Sequence, residues 1–577
     1  MRRPFWLASA SAVAMIAAFP LTAQADDAEV AKMLKQMQER LDKQESELAA
    51  QKEEIARLKG ELKAKPQAVV TTRTTTTRTT RGASQPQAAM ASGPASSSVA
   101  IVAADASAPA TQGDVQQLRT ELQQQRITQQ EQPIWSVVNL RPTVSSPDGR
   151  FTMSLRGQFQ LDAANYFQDD PRPLNVDFRR GSVGASQREV NSARELSDGF
   201  NFRRAQIGVE GRLWRDFGYR LVYEFGGSGT EGPARINDAY VTYTGFAPFT
   251  VQVGAFLPNS NMEDATSSTD GLFMERATAA ELARGLAGAD GRYGAGVRGN
   301  GDWWSASLFY TGGTVGDAEN AGEQSGVVGR LAVLAYTDSN ANVHLGANTS
   351  YVFEPPDQGS LTAAGTPRYP IRFRDRPELR VDSTRLIDTG SIDASSAYAS
   401  GLEFAANYQN FMVQGEYVFY GIERRNSALE NPDFQGYYAE ASWVITGETH
   451  RYNMATASYS APKPMVPVDT QGGFGAWELA ARFSHVDLNF NEGLPGTAAP
   501  VGSVRGGEED IWTLGINWYL NANLRASVNY FMVDVDRLNP AGPGNTTPFG
   551  AGAATPPNGA QIGQDYEAIA VRTQFAF

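Results

Sequence analysis

The chain has 577 residues, 41% of them hydrophobic and 10% aromatic, and its 50 basic and 63 acidic side chains give a formal net charge of −13. With 0 Cys and 3 His it has no material for disulfides, thiolate chemistry or Cys-built metal sites, and too little for a histidine centre, so neither cofactor nor metal is expected. The acidic balance argues against a nucleic-acid partner, which needs a basic face.

Residues 1–25 read as a secretory signal peptide: Arg2 and Arg3, an apolar run from Trp6 to Phe19, then Ala23-Gln24-Ala25. The run is too short for a membrane anchor, which takes about 20 apolar residues. Over 26–63, Val30, Leu34, Met37, Leu41, Gln44, Leu48, Gln51, Ile55, Leu58 and Leu62 recur at alternating spacings of four and three. That is the seam of an α-helical coiled coil, which buries its apolar side by association. Residues 64–113, including TTRTTTTRTTR, are too poor in apolar side chains to bury a core and read as a linker. A short helix over 114–132, with Val115, Leu118 and Leu122 on one face, ends at Pro133.

From 133 to 577 the period changes to two. Segments of about ten residues alternate apolar and polar positions between clusters of Gly, Asp, Asn and Pro. Leu221, Tyr223 and Phe225 oppose Arg220 and Glu224; Trp512, Leu514, Ile516 and Trp518 oppose Thr513 and Asn517. Sixteen such strands are expected to start near 151, 200, 217, 235, 249, 291, 302, 326, 341, 397, 411, 433, 475, 509, 523 and 564. Long connections follow the odd strands and short ones the even strands, except for 447–474, which is long where a short turn is due. No segment has 18 consecutive apolar residues, so strands rather than helices must cross any membrane. An even strand count, one-sided loops and one polar face per strand predict an all-β transmembrane barrel of 16 antiparallel strands around a wet lumen. The last strand alternates to Phe577, the kind of ending through which barrel-assembly machinery is expected to take up the chain.

The text of several strands is familiar. FNFRRAQIGVEGRLWRDFGYRLVYEF (200–225), INDAYVTYTGFAPFTVQVGAF (236–256), EDATSSTDGLFMERA (263–277), RPELRVDSTRLIDTGSI (376–392), LEFAANYQNFMVQGEY (402–417) and GAWELAARFSHVDL (475–488) resemble the phosphate- and polyphosphate-selective porin family, porin O and P. The resemblance implies a homotrimeric porin of the bacterial outer membrane, set in lipid and lipopolysaccharide. It also implies a third loop, 257–290, folded into the pore, and a coiled coil in the periplasm. The implied activity is passive diffusion of small anionic or polar solutes through a water-filled channel, phosphate and polyphosphate among them, and not an enzymatic one. Where phosphate-specific members follow the loop's TSS with a lysine, this chain has Thr269 and then Asp270. Residues 133–577 carry 33 Arg and one Lys (Lys463) against 49 Asp and Glu, a balance that points toward a broader small-solute porin.

Strand parity places Arg156, Arg204, Arg220, Arg525 and Arg572 in the lumen on five consecutive strands, as a basic stripe, with Arg298 and Arg482 as further inward candidates. The same parity supplies Glu210, Glu224, Glu403, Glu416 and Glu478, so pairing into a neutral scaffold is the competing outcome. In the third loop, Glu263, Asp264, Thr269, Asp270, Glu275, Arg276, Glu281 and Arg284 are the candidate constriction residues, with Leu272, Phe273 and Met274 as its anchor. An acidic loop facing a basic wall would set a transverse field. None of His344, His450 and His485 has a nucleophile at a telling spacing. The alternative function is a structural tether, in which the barrel anchors a coiled-coil spacer.

Overall fold

The computed structural model describes residues 132–172, 177–179, 195–227, 235–289, 291–316, 321–359, 367–540 and 556–577, together with Gly113, Gln116, Arg119, Thr120 and Gln123, which are helical. The expected signal peptide, coiled coil and linker lie outside the described residues, as does most of the short helix.

Sixteen antiparallel strands form the barrel: β1 (Thr152–Phe167), β2 (Gly199–Leu213), β3 (Phe217–Glu224), β4 (Arg235–Phe246), β5 (Phe249–Phe256), β6 (Arg292–Asn300), β7 (Trp304–Thr314), β8 (Ser325–Thr337), β9 (Ala341–Glu354), β10 (Ile392–Tyr408), β11 (Phe411–Arg424), β12 (Asp433–Val444), β13 (Ala476–Phe490), β14 (Val504–Tyr519), β15 (Leu524–Asp536) and β16 (Tyr566–Ala576). Each pairs with the next, and β16 pairs with β1 from Glu567 opposite Phe167 to Ala576 opposite Gln158, which closes the ring. Closure satisfies every strand edge, which a bilayer demands because lipid offers no hydrogen bonds. The terminal Phe577 extends the seam, its N–H donating to Gly157 at 3.0 Å and its carbonyl accepting from Gly157 at 3.1 Å. Its ring lies where a Cβ on residue 157 would stand, so a larger residue there would have to displace that ring.

The outward faces are apolar and end in aromatic pairs. Trp477 stacks on Trp518 at 5.1 Å and Phe411 on Trp443 at 5.7 Å at one rim, and Tyr417 on Tyr437 at 5.8 Å at the other. Such girdles mark the two interfaces of a membrane. The inward faces are polar: on β13, Glu478, Arg482 and Ser484 are buried while Leu479 and Phe483 face outward.

Two β-bulges break the alternation on the β1–β4 side. Register shifts between Gln160 and Leu161 and between Val222 and Tyr223 leave Arg203 and Asn237 as extra residues. The pairs Arg203 with Arg204 and Asn237 with Asp238 therefore all turn inward and are buried.

Three connections fold inside. The third loop carries α1 (Met262–Ala265) and α2 (Thr278–Ala287). Asn261 caps α1, accepting from the Asp264 N–H at 2.7 Å. Met262, Leu272 and Phe273 pack with Ala405, Met412, Tyr459 and Ala480, each large apolar chain contributing roughly 1.5–3 kcal/mol. Loop 355–391 packs over α2 and delivers Glu378, whose carboxylate accepts from the Thr278 N–H at 3.2 Å. The long connection 445–475 also turns inward, as a hairpin of Arg451–Asn453 and Ser458–Ser460. Arg330 donates to the carbonyls of Thr456 (2.6 Å) and Ala457 (2.8 Å), and Ser458 Oγ reaches the Ala265 carbonyl at 3.3 Å. Its length has a physical reason: it fills lumen volume beneath the third loop instead of only reversing the chain.

Candidate permeation pathway

The loops cover the β8–β16 wall and leave the β1–β7 wall open. Along that open side lie four cavities. The outermost, about 330 Å³, lies between α2, loop 355–391 and strands β2 and β4. Eight arginines line it: Arg203, Arg235, Arg276, Arg284, Arg372, Arg374, Arg380 and Arg385, against Glu281 and Asp375. A small cavity of about 30 Å³ follows, bounded by Arg204 and by third-loop residues that include Glu263, Ser267, Ser268, Glu275 and Arg276, with room for about two waters. Beyond it, a chamber of about 250 Å³ is lined by Arg156, Arg204, Arg220, Arg276 and Arg298 against Asp238 and Asp264, together with neutral amides and hydroxyls. The last cavity, about 570 Å³, opens at the other mouth beside Arg141, Arg156, Asn523 and Phe577. Arg276 borders the outer three cavities, and Arg156 borders the last two.

The seven arginines of the expected stripe divide. Arg156, Arg204, Arg220 and Arg298 share the inner chamber. Arg156 and Arg220 lie 3.3 and 3.8 Å from Glu210, and Arg220 is also 3.0 Å from Asp238. Arg204 is buried, and its one side-chain hydrogen bond goes to the neutral Oε1 of Gln160 at 2.7 Å; it forms no ion pair among the described residues. Arg298 likewise has neither hydrogen bond nor ion pair there.

Arg482, Arg525 and Arg572 also point inward, but behind the third loop, and none borders a cavity described above. The stripe expected on β15 and β16 is thus covered by the loop. Arg525 donates to the carbonyls of Gly271 (2.7 Å) and Leu272 (3.0 Å). Arg572 forks Asp162 at 2.6 and 2.7 Å and reaches Glu275 at 2.8 Å. Arg482 contacts Glu378 and lies 3.3 Å from Glu263 and 3.6 Å from Glu440.

The loop's acids pair with arginines, some within the loop and some on the wall it faces, which offsets the transverse field expected of them. Asp264 accepts from Arg284 at 2.7 Å. Glu275 binds Arg203 at 2.7 Å, Arg380 at 3.2 Å and Arg572. Burial pushes the Glu275 and Glu281 carboxyls up, but the surrounding guanidiniums more than offset it and hold both below the ordinary carboxylate range. Burial raises Glu263 and Asp270. Thr269 Oγ1 sits 2.8 Å from Ser267 Oγ and 3.2 Å from Asp270. The loop borders the cavities with hydroxyls and Arg276, and also with the carboxylates of Asp264, Glu263, Glu275 and Glu281, which arginines accompany. Many of the chain's acids stand elsewhere, outward near the rim: Asp433, Asp487, Glu508, Asp510, Asp534, Asp536 and Glu567.

Parity missed Arg203, which the bulge turns inward. The signal was present: Phe200 and Phe202 face out at even positions, Ala205 and Ile207 at odd ones, so one residue between them is extra. The arginines at 372–385 went unassigned, although 371–380 holds four Arg.

A model of the family described as phosphate-selective porin O and P matches residues 176–552. The chain belongs to that family. Porin O of Pseudomonas aeruginosa is 26% identical over 407 residues, covering 68% of this chain and 86% of that protein. An uncharacterized protein of Caulobacter vibrioides is 30% identical over 369 residues, 62% of this chain and 67% of its own. Among solved structures, OmpT of Vibrio cholerae superposes with a TM-score of 0.41 at 12% identity, over 74% of this chain and 98% of that one. An anion-selective porin from Comamonas acidovorans gives 0.41 at 14%, over 74% and 100%. The porin is thus a water-filled channel of the outer membrane, and its chemistry is that of a channel rather than of an enzyme. Its buried histidines serve structure: His344 bonds Glu403 at 3.1 Å and Tyr452 at 2.7 Å, and His450 bonds Glu478 at 2.6 Å.

Proposed function

We propose that this porin admits small anions in preference to cations, and that phosphate-type oxyanions belong to the solutes it carries. One observation carries the reading. Arg204, which borders both the small cavity under the third loop and the inner chamber, is a permanent cation whose hydrogen-bond partner is a neutral amide, with no carboxylate paired to it among the described residues. The guanidiniums on either side, in the outer cavity and in the inner chamber, extend that field along the path, and a narrow lumen keeps a passing ion within a Debye length, about 8 Å, of the wall. A fixed donor fork suits phosphate and carboxylate alike. The negative net charge does not oppose this, because the loop acids are paired and many strand acids face outward.

On the same reading, the heptad segment 26–63 is a periplasmic coiled coil that assists a homotrimer, and lipopolysaccharide surrounds the acidic outer rim. The test is the reversal potential in planar bilayers under a salt gradient, first with chloride and then with phosphate. A potential displaced toward the anion's equilibrium value supports the reading. One displaced toward the cation's overturns it, and equal behaviour of the two anions removes phosphate from any special role.

A further inference from the structure

The inner chamber offers more than charge. Gln252 is only 5% exposed as a residue, borders the chamber and makes no side-chain hydrogen bond among the described residues. The amide opens onto the chamber with its donors and acceptor free of protein partners, so a ligand there can supply them. Asn259, also bordering the chamber, is equally without a side-chain partner. Ser267 places a hydroxyl on the loop side, and Tyr240, edge-on to Phe256 at 5.9 Å, presents an aromatic body with a polar tip. Neutral donors and acceptors of this kind do nothing for the charge of an oxyanion. They match a body rich in hydroxyl groups. The volume agrees: about 250 Å³ lies just under the roughly 300 Å³ at which small-molecule pockets begin, and a bare oxyanion would leave most of it to water.

We propose that the chamber is a binding station for sugar phosphates. Arg204 and Arg298 take the phosphoryl oxygens, and Gln252, Asn259 and Ser267 hydrogen-bond the sugar hydroxyls. The proposal rests on the anion-channel reading above and names a solute class for it. Phosphate alone engages only the guanidiniums; a neutral sugar engages only the amides.

The experiment measures block of the chloride current through the full-length porin in planar bilayers by glucose 6-phosphate, orthophosphate and glucose, each added alone. Glucose 6-phosphate is expected to half-block at a concentration about tenfold below either of the others, one such step in affinity. Replacing Gln252 with Leu should shrink its advantage over orthophosphate about fivefold, as the loss of one neutral hydrogen bond implies. The advantage is a ratio within one conducting channel, so it is independent of how much protein inserts. If Gln252→Leu yields no channels, Gln252→Asn, one methylene shorter, should give a smaller loss of the same sign. Equal block by glucose 6-phosphate and orthophosphate overturns the proposal and leaves the anion channel standing. Equal block by glucose and glucose 6-phosphate overturns it in favour of a neutral-sugar site. A cation-preferring current overturns the anion-channel reading itself.

Discussion

Arg203 and Arg204 are neighbours in sequence, yet both side chains enter the lumen, because Arg203 is the extra residue of a bulge opposite Gln160 and Leu161. The pair divides two tasks. Arg203 grips both oxygens of Glu275, at 2.7 and 3.0 Å, and so ties the third loop to the open wall. Arg204 bonds a neutral amide and keeps its charge for the passage. Arg204→Gln should fold normally and lower the anion-to-cation permeability ratio, most at low salt, where screening is weakest. Arg203→Gln should leave selectivity closer to wild type but make the open-channel current noisier, since Glu275 keeps only Arg380 and Arg572. Paired single-channel recordings at two salt concentrations separate the two.

The same residue type is indispensable elsewhere. Arg482 is buried, with Glu263, Glu378 and Glu440 around it. Removing one member of a buried ion network leaves uncompensated charge, at a cost of about 3–5 kcal/mol. Arg482→Gln should therefore reduce the yield of heat-resistant folded barrel on gels run without boiling, where Arg204→Gln does not. A stable Arg482→Gln barrel would mean that the three carboxylates relax into water or take up protons.

The third loop is clamped from behind by main-chain acceptors. Arg525 holds the carbonyls of Gly271 and Leu272, and Asn517 donates to Leu272 at 2.9 Å. Each charged hydrogen bond is worth about 1.5–3 kcal/mol. Arg525→Ala should let the loop swing from the wall and change single-channel conductance stepwise, without altering the β content seen by circular dichroism. Conductance identical to wild type would show that the apolar anchor of Leu272 and Phe273 suffices.

The outer cavity has one group poised to titrate. Burial pushes the Asp375 carboxyl up to about 6, against the lowering effect of Arg380 and Arg376 and with Glu281 adding to the rise. Above that pH Asp375 is charged and cancels part of the basic lining; below it the carboxyl is neutral and the cavity becomes more positive. Anion preference should therefore increase as pH falls from 7.5 to 5, with a midpoint near 6, and Asp375→Asn should show the low-pH behaviour throughout. A flat profile in the wild type would contradict this assignment.

Strand positions were legible because lipid enforces a strict outward apolar rhythm. Phe217, Phe249, Ala341, Phe411 and Asp433 begin strands where the alternation begins. The rhythm fails outside the membrane. β10 and β14 start at Ile392 and Val504, ahead of the expected 397 and 509, through stretches such as Ser395-Ser396 and Gly506-Gly507 that carry no apolar alternation. Parity tells which face a residue takes, not whether a loop lies over it. That is why Arg525, Arg572 and Arg482 could be placed inward but not behind the third loop. The inward turn of 445–475 was visible only as excess length, since the contacts that fix it come from Arg330 and His344 more than a hundred residues away.

The central claim is that unpaired guanidiniums on the open wall set the sign of selectivity. The most direct measurement is the reversal potential of the Arg204→Gln, Arg298→Gln double variant against wild type, under one potassium chloride gradient at low salt. Wild type should reverse toward the chloride equilibrium potential, and the double variant should move clearly toward zero while remaining a folded, conducting barrel. An unchanged reversal potential in a well-folded double variant would contradict the account and make these arginines scaffold.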